Sequence, residues 1–184
     1  MPLQSLVAIG EDTSDNVEIQ TLDAFGFTVS SYVWNDWASD QPCWVDDEYA
    51  PVEGVKFAPG QGLWVGGADE SQGVQSAGKV GLEDVVFTLK SGYSAAGNPF
   101  PVAIDLQEIV AEGEDTSDSV EVQTLDAFGF TATSYVWNDW ASDQPCWVDD
   151  EYTPVTGVTI GAGQGLWVGG SSADQSIRFP APEL

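Results

Sequence analysis

Apolar and polar positions alternate with a period of two along much of this chain. Val17, Ile19 and Thr21 alternate with Glu18, Gln20 and Leu22. Phe27, Val29, Ser31 and Val33 then alternate with Thr28, Ser30, Tyr32 and Trp34. Successive side chains of a strand point to opposite faces, so this period predicts strands. Asp23-Ala24-Phe25-Gly26 between them is a turn candidate, with glycine supplying a positive φ, and the whole reads as a hairpin. Val55-Lys56-Phe57 and Leu63-Trp64-Val65, joined by Ala58-Pro59-Gly60-Gln61-Gly62, predict a second hairpin. Val85 to Leu89 predicts a further strand, ended by Ser91-Gly92, and Gly97-Asn98-Pro99 a turn. The one helix-compatible stretch, Ile104 to Val110, is short. Twenty glycines and ten prolines punctuate these short strands. The expected class is all-β, as a sandwich.

The pattern is written twice. Leu3 to Gly67 aligns with Leu106 to Gly170 without a gap, at a constant offset of 103 residues, with 52 of 65 positions identical. GEDTSDNVEIQTLDAFGF from Gly10 returns as GEDTSDSVEVQTLDAFGF from Gly113. SYVWNDWASDQPCWVDDEY begins at Ser31 and again at Ser134, and GQGLWVGG at Gly60 and at Gly163. A period this long exceeds the roughly 20–50 residues of solenoid repeats and has the size of a small domain. The expected architecture is therefore two tandem homologous β-sandwich-like units. The first would span residues 1–78, without the N-terminal strands of the repeat, and the second, complete, residues 79–184. Val80 to Ile104, containing VVFTLKSGYSAAGNPFPVAI, has no counterpart before Leu3.

The order GYSAAGNPFPVAI, SYVWND and GAGQGLWVGG, the last written APGQGLWVGG in the first copy, resembles a module of bacterial exported and cell-surface proteins. That module reads roughly G-W-N-x-x-G-N-P-Y-P, then Y-x-W, then A-P-G-Q-G-F-W-V. The resemblance covers Gly92 to Val168 in order, and only the middle and end of it in the first copy. Tyr93 stands where the module usually has Trp, and the GNPFP element is missing before the first copy. The resemblance implies an exported β-sandwich and no known catalytic residues. On this view the first copy lacks its leading strands, which leaves a sheet edge and an apolar groove uncovered. Three resolutions are open. The middle segment serves both copies, the termini are trimmed from a longer array, or a strand from another subunit fills the gap. The third gives head-to-tail polymers, because a heterologous contact need not close.

Charge narrows the function classes. Thirty Asp and Glu stand against four Lys and Arg, with no His, for a net charge of −26. Lys56, Lys79, Lys90 and Arg178 cannot make the basic footprint that nucleic acid needs. An anionic membrane surface would repel such a chain, and no stretch approaches the roughly 20 apolar residues of a membrane span. Without His there is no Ser-His or Cys-His nucleophile pair. The 42% hydrophobic content, with 8 Trp, argues against disorder. The N-terminus carries no signal-peptide pattern, so either the chain is mature or excised or export is not encoded in it; the expected location is extracellular or at the cell surface. No nucleophile elbow, P-loop or dinucleotide fingerprint is present, and the expectation is a protein without enzymatic activity.

Three sets of residues could carry chemistry. Glu11, Asp12, Asp15, Asp36 and Asp40, with Glu114, Asp115, Asp118, Asp139 and Asp143, offer the clustered oxygens that Ca²⁺ takes. Asp46-Asp47-Glu48 forms a further acidic run. None matches an EF-hand loop, and solvated acidic loops are the simpler account. Tyr32, Trp34, Trp37 and Trp44, with Tyr135, Trp137, Trp140 and Trp147, are either core and interface residues or platforms for a glycan, whose apolar faces stack on aromatic rings. Cys43 and Cys146, one per copy, are either bridged or buried thiols behaving as small hydrophobes. The expected function is a structural, self-assembling building block, with itself or other surface proteins as partner. A carbohydrate-binding or adhesive module is the alternative.

Overall fold

The computed structural model describes residues 1–23, 27–68, 71–76, 81, 83–126, 129–172 and 174–182. The chain is all-β, with antiparallel sheets and, among the described residues, two 3₁₀ turns, Leu3–Ser5 and Leu106–Glu108. It divides into two compact units. One comprises Met1–Leu22, Phe27–Ala58 and Leu63–Lys79. The other comprises Asp23–Gly26, Pro59–Gly62 and Val80–Leu184.

The first unit contains β1 (Leu6–Ile9), β2 (Glu18–Leu22), β3 (Thr28–Asn35), β4 (Cys43–Val45), β5 (Trp64–Gly66) and β6 (Gly73–Ser76). They form a four-stranded sheet in the order β4-β3-β2-β5 and a two-stranded sheet, β1-β6. Leu3, Leu6, Val17, Ile19, Trp34, Trp44 and Phe57 are its buried core. The alternation read from sequence produces β2 and β3, which pair with Ile19 opposite Tyr32 and a bulge at Thr21/Leu22. Most of the turn expected at Asp23–Gly26 lies outside the described residues.

The second unit contains β7 (Val85–Thr88), β8 (Gly92–Gly97), β9 (Ile104–Asp105), β10 (Val110–Glu112), β11 (Glu121–Leu125), β12 (Thr131–Asn138), β13 (Cys146–Val148), β14 (Thr159–Ile160), β15 (Gly165–Gly170) and β16 (Ser176–Phe179). A five-stranded sheet, β13-β12-β11-β15-β8, and a three-stranded sheet, β10-β16-β7, contribute to one core, with β14-β9 as a short third ladder. Ala96, Val122, Trp137, Trp147, Leu166 and Val168 come from the first sheet and Ala111, Ile177 and Phe179 from the second. That is a two-layer sandwich. Gln61, which belongs to this unit, bridges Ala96 on the other side of β8.

Equivalent ladders carry equivalent registers. Glu18 faces Gly66 across β2-β5, and Glu121 faces Gly169 across β11-β15. Val7 faces Gln75, and Val110 faces Arg178.

Two expectations are corrected. Val55–Phe57 and Leu63–Val65 do not form a hairpin. Lys56 bridges Pro2, and β5 pairs with β2. In the second unit β14 pairs with β9, and β15 with β11 and β8. A glycine-rich run resembles a tight turn locally, but here it carries the chain on to another partner. The helix-compatible stretch is a single 3₁₀ turn between β9 and β10. Asp105 caps it, accepting from Gln107 N at 2.9 Å.

Candidate functional site

The acidic loop of each copy is organised around a buried asparagine. Asn35, at the end of β3, is fully buried and donates from Nδ2 to Asp15 Oδ1 at 2.8 Å. Its Oδ1 accepts from Trp37 N at 3.0 Å and Ala38 N at 2.7 Å. Asp15 Oδ2 accepts from Trp37 Nε1 at 3.2 Å, and Ser14 Oγ donates to Asp36 Oδ1 at 2.9 Å. The second unit repeats this with Asn138, Asp118 and Trp140, at 2.9 Å and 3.4 Å for the two aspartate contacts. Asp12, Asp15, Asp115 and Asp118 hold positive φ, a conformation aspartate tolerates in turns. Gly10, at φ 119, allows the loop to pass the backbone of Ser71 and Gln72, where a Cβ would come within 2.8 Å of Ser71 O.

These contacts change the reading of the acids. Both oxygens of Asp15 accept hydrogen bonds from the protein, and so do those of Asp118. Glu11, Asp12, Asp36, Asp40, Glu114, Asp115, Asp139 and Asp143 are exposed. Among the described residues no three Asp, Glu or Cys groups are placed to hold a metal ion.

The aromatic set divides. Trp34 and Trp44 pack edge to face in the core, centroids 5.2 Å apart, and Trp44 Nε1 donates to Leu6 O at 2.8 Å. Trp137 and Trp147 repeat the arrangement, with Trp147 Nε1 on Ile109 O at 2.7 Å. Tyr32 is half-buried and Tyr135 buried. Trp37 and Trp140 are the exception, each 61% exposed. Each stacks on a tyrosine absent from the sequence-based set: Trp37 on Tyr49 at 5.3 Å and Trp140 on Tyr152 at 5.1 Å, with ring planes 30° apart in both. Tyr49 and Tyr152 both sit at φ 60. The Asp46 carboxylate shapes that turn, accepting from Glu48 N at 3.0 Å and Ala50 N at 2.9 Å. Asp-Asp-Glu-Tyr is thus a turn that presents an aromatic ring. An aspartate three residues before an aromatic was the available signal.

Cys43 is half-buried and Cys146 buried, and both are free thiols. The bridge considered from sequence is not formed. Ser39 Oγ lies 3.5 Å from Cys43 Sγ.

The two units differ at β5. In the second unit β15 is paired on both sides, and β8 runs along its outer edge with Ala96 opposite Leu166, Ala95 opposite Trp167 and Ser94 opposite Val168. Tyr93 OH donates to Glu121 Oε2 at 2.5 Å. Burial and that hydrogen bond push the Tyr93 hydroxyl up to about 12. Arg178 fastens β7 to β10, reaching Asp84 at 2.9 Å and Glu112 at 2.6 Å. The Ala181 amide and Arg178 together hold the Asp84 carboxyl below the usual carboxylate range. In the first unit β5 is an edge strand, paired only with β2 among the described residues. Val65 is 47% exposed, while its equivalent Val168 is fully buried.

No family model matches the chain, and neither a curated protein nor a solved structure matches it.

Proposed function

We propose that the chain is a non-enzymatic structural building block of the extracellular space or cell surface, acting through protein–protein contacts and assembling into oligomers or fibres. The observation that carries this reading is the open edge of β5, where Val65 is exposed although its equivalent Val168 is buried. Unpaired strand edges recruit other strands, and proteins that remain single molecules blunt them with charge, proline or a covering loop. Trp64-Val65-Gly66 has neither charge nor proline. Light scattering over a concentration series, followed by electron microscopy, tests the reading. It expects a mass that grows with concentration and extended particles in the micrographs. A single-chain mass at every concentration overturns it.

The Trp37–Tyr49 and Trp140–Tyr152 pairs favour a second reading, an adhesive module for glycans. Exposed stacked rings, held beside a buried asparagine and repeated on both units, suit the apolar face of a sugar ring. Calorimetric titration with oligosaccharides would show heats that disappear in the Trp37→Ala/Trp140→Ala double variant. Heats that survive in that variant would remove these rings from any glycan site.

A further inference from the structure

We propose that the open edge of β5 accepts, in trans, an extended segment with the chemistry of residues 92–101: a glycine-flanked strand carrying one tyrosine and small side chains, followed by Asn-Pro-Phe-Pro. This deepens the assembly reading and rests on it. The second unit displays the occupant. There the segment supplies Ala96 and Phe100 to the core, both buried, and the ladder to β15.

The receiving surface is the same in both units. Leu63-Trp64-Val65-Gly66 is identical to Leu166-Trp167-Val168-Gly169, and Glu18, Gln20 and Ser31 are identical to Glu121, Gln123 and Ser134. Glu18 Oε1 already accepts from Gln20 at 2.8 Å and from Ser31, as Glu121 Oε1 does from Gln123 and Ser134. In the second unit Tyr93 occupies the other carboxylate oxygen. Oε2 of Glu18 has no donor among the described residues. Half-buried Leu63, Val74 and Ala8 pack against the core of the first unit, and Val65 on β5 is exposed.

The surface that receives β7 differs instead. Arg178 becomes Gln75 and Phe179 becomes Ser76, so the ion-pair clamp and a core ring are both missing. The match therefore covers the β8-type segment and stops there. Its register is fixed: Ala96 opposite Leu63, Ala95 opposite Trp64, Ser94 opposite Val65 and Tyr93 opposite Gly66. Among the described residues there are two such receiving strands, β5 and β15, and one β8. Exchange among copies of residues 1–184 therefore opens one edge for each it fills, and a free segment of this chemistry competes for the same edge.

The test is a titration of the isotopically labelled full chain with the synthetic peptide of residues 90–101, read by amide chemical shifts. The expected result is saturable binding of one peptide per chain, with shifts at Glu18 and Leu63–Gly66. Replacing Ala96 with Glu in the peptide, or Val65→Glu in the chain, weakens binding by about tenfold or more, because each places a charge in the apolar gap. Val65 is exposed in the free chain, so unchanged shifts at β2 and β3 show that this variant is folded. A Tyr93→Phe peptide binds without the Glu18 shift. Absence of binding, or shifts confined to the second unit, overturns the inference. If the chain assembles but peptide and Val65→Glu leave assembly untouched, the inference falls and the assembly reading stands. If the peptide binds a chain that never assembles, the inference stands and the assembly reading falls.

Discussion

Asn35 and Asn138 show how one side chain can organise a surface. Each is fully buried and satisfies three partners: an aspartate and two backbone amides. Replacing Asn35 by alanine strands those partners, and a buried polar group without a bond costs roughly 1–3 kcal/mol. Denaturant titration of Asn35→Ala should show that loss, and the Trp37–Tyr49 pair should separate as its support goes. Gly66 and Gly169 give a second contrast at this scale. A Cβ on Gly169 would lie 2.8 Å from the Tyr93 ring, whereas on Gly66 its nearest neighbour is Trp64 Nε1 at 4.0 Å. Gly169→Ala should therefore cost about 1–3 kcal/mol by overpacking, and Gly66→Ala less than about 0.5 kcal/mol. Equal effects from thermal melts of the two variants would mean that the two strands have the same surroundings.

At the scale of elements, the β2-β3 hairpin was legible because its partners are sequence neighbours and its alternation is regular. The partner of β5 was not. Leu63-Trp64-Val65 lies close behind Val55-Lys56-Phe57, and local pattern pairs neighbours. The true partner is β2, more than 40 positions earlier, and no short-range signal records that pairing. Clustering of Trp34, Trp37 and Trp44 was equally visible, yet their separation into two core rings and one surface ring depends on Asn35 and Asp15 lying beside Trp37 in space. The missing β8 counterpart was legible, because the duplication itself displayed the gap. Its consequence belongs to the ladders. β2 and β11 share register and almost all residues, but only β11 lies under a fully paired neighbour. Open edges and incompletely covered cores open at lower free energy. Hydrogen exchange followed by mass spectrometry should show amides of Glu18–Leu22 exchanging faster than those of Glu121–Leu125. Equal rates would show that the gap beside β5 does not weaken its sheet.

For the whole molecule the dominant quantity is charge. Twenty of the 30 acids are ten positions written twice, from Glu11 to Glu48 and from Glu114 to Glu151, so the −26 is spread over two like units. Many of these acids occupy exposed loops, and few cations oppose them. Bringing two chains together therefore works against a repulsion whose range is set by ionic strength. The screening length is about 10 Å at 0.1 M salt and about 3 Å at 1 M. The contact offered by β5 is backbone hydrogen bonding and apolar burial, and neither depends on opposite charges meeting. Raising sodium chloride across that range should therefore tighten association, seen in light scattering as a lower concentration for half-assembly. The opposite slope would place Lys56, Lys90 or Arg178 against acids of a neighbouring chain. A flat response would place the acidic loops away from every contact and leave the β5 edge as the whole of the interface.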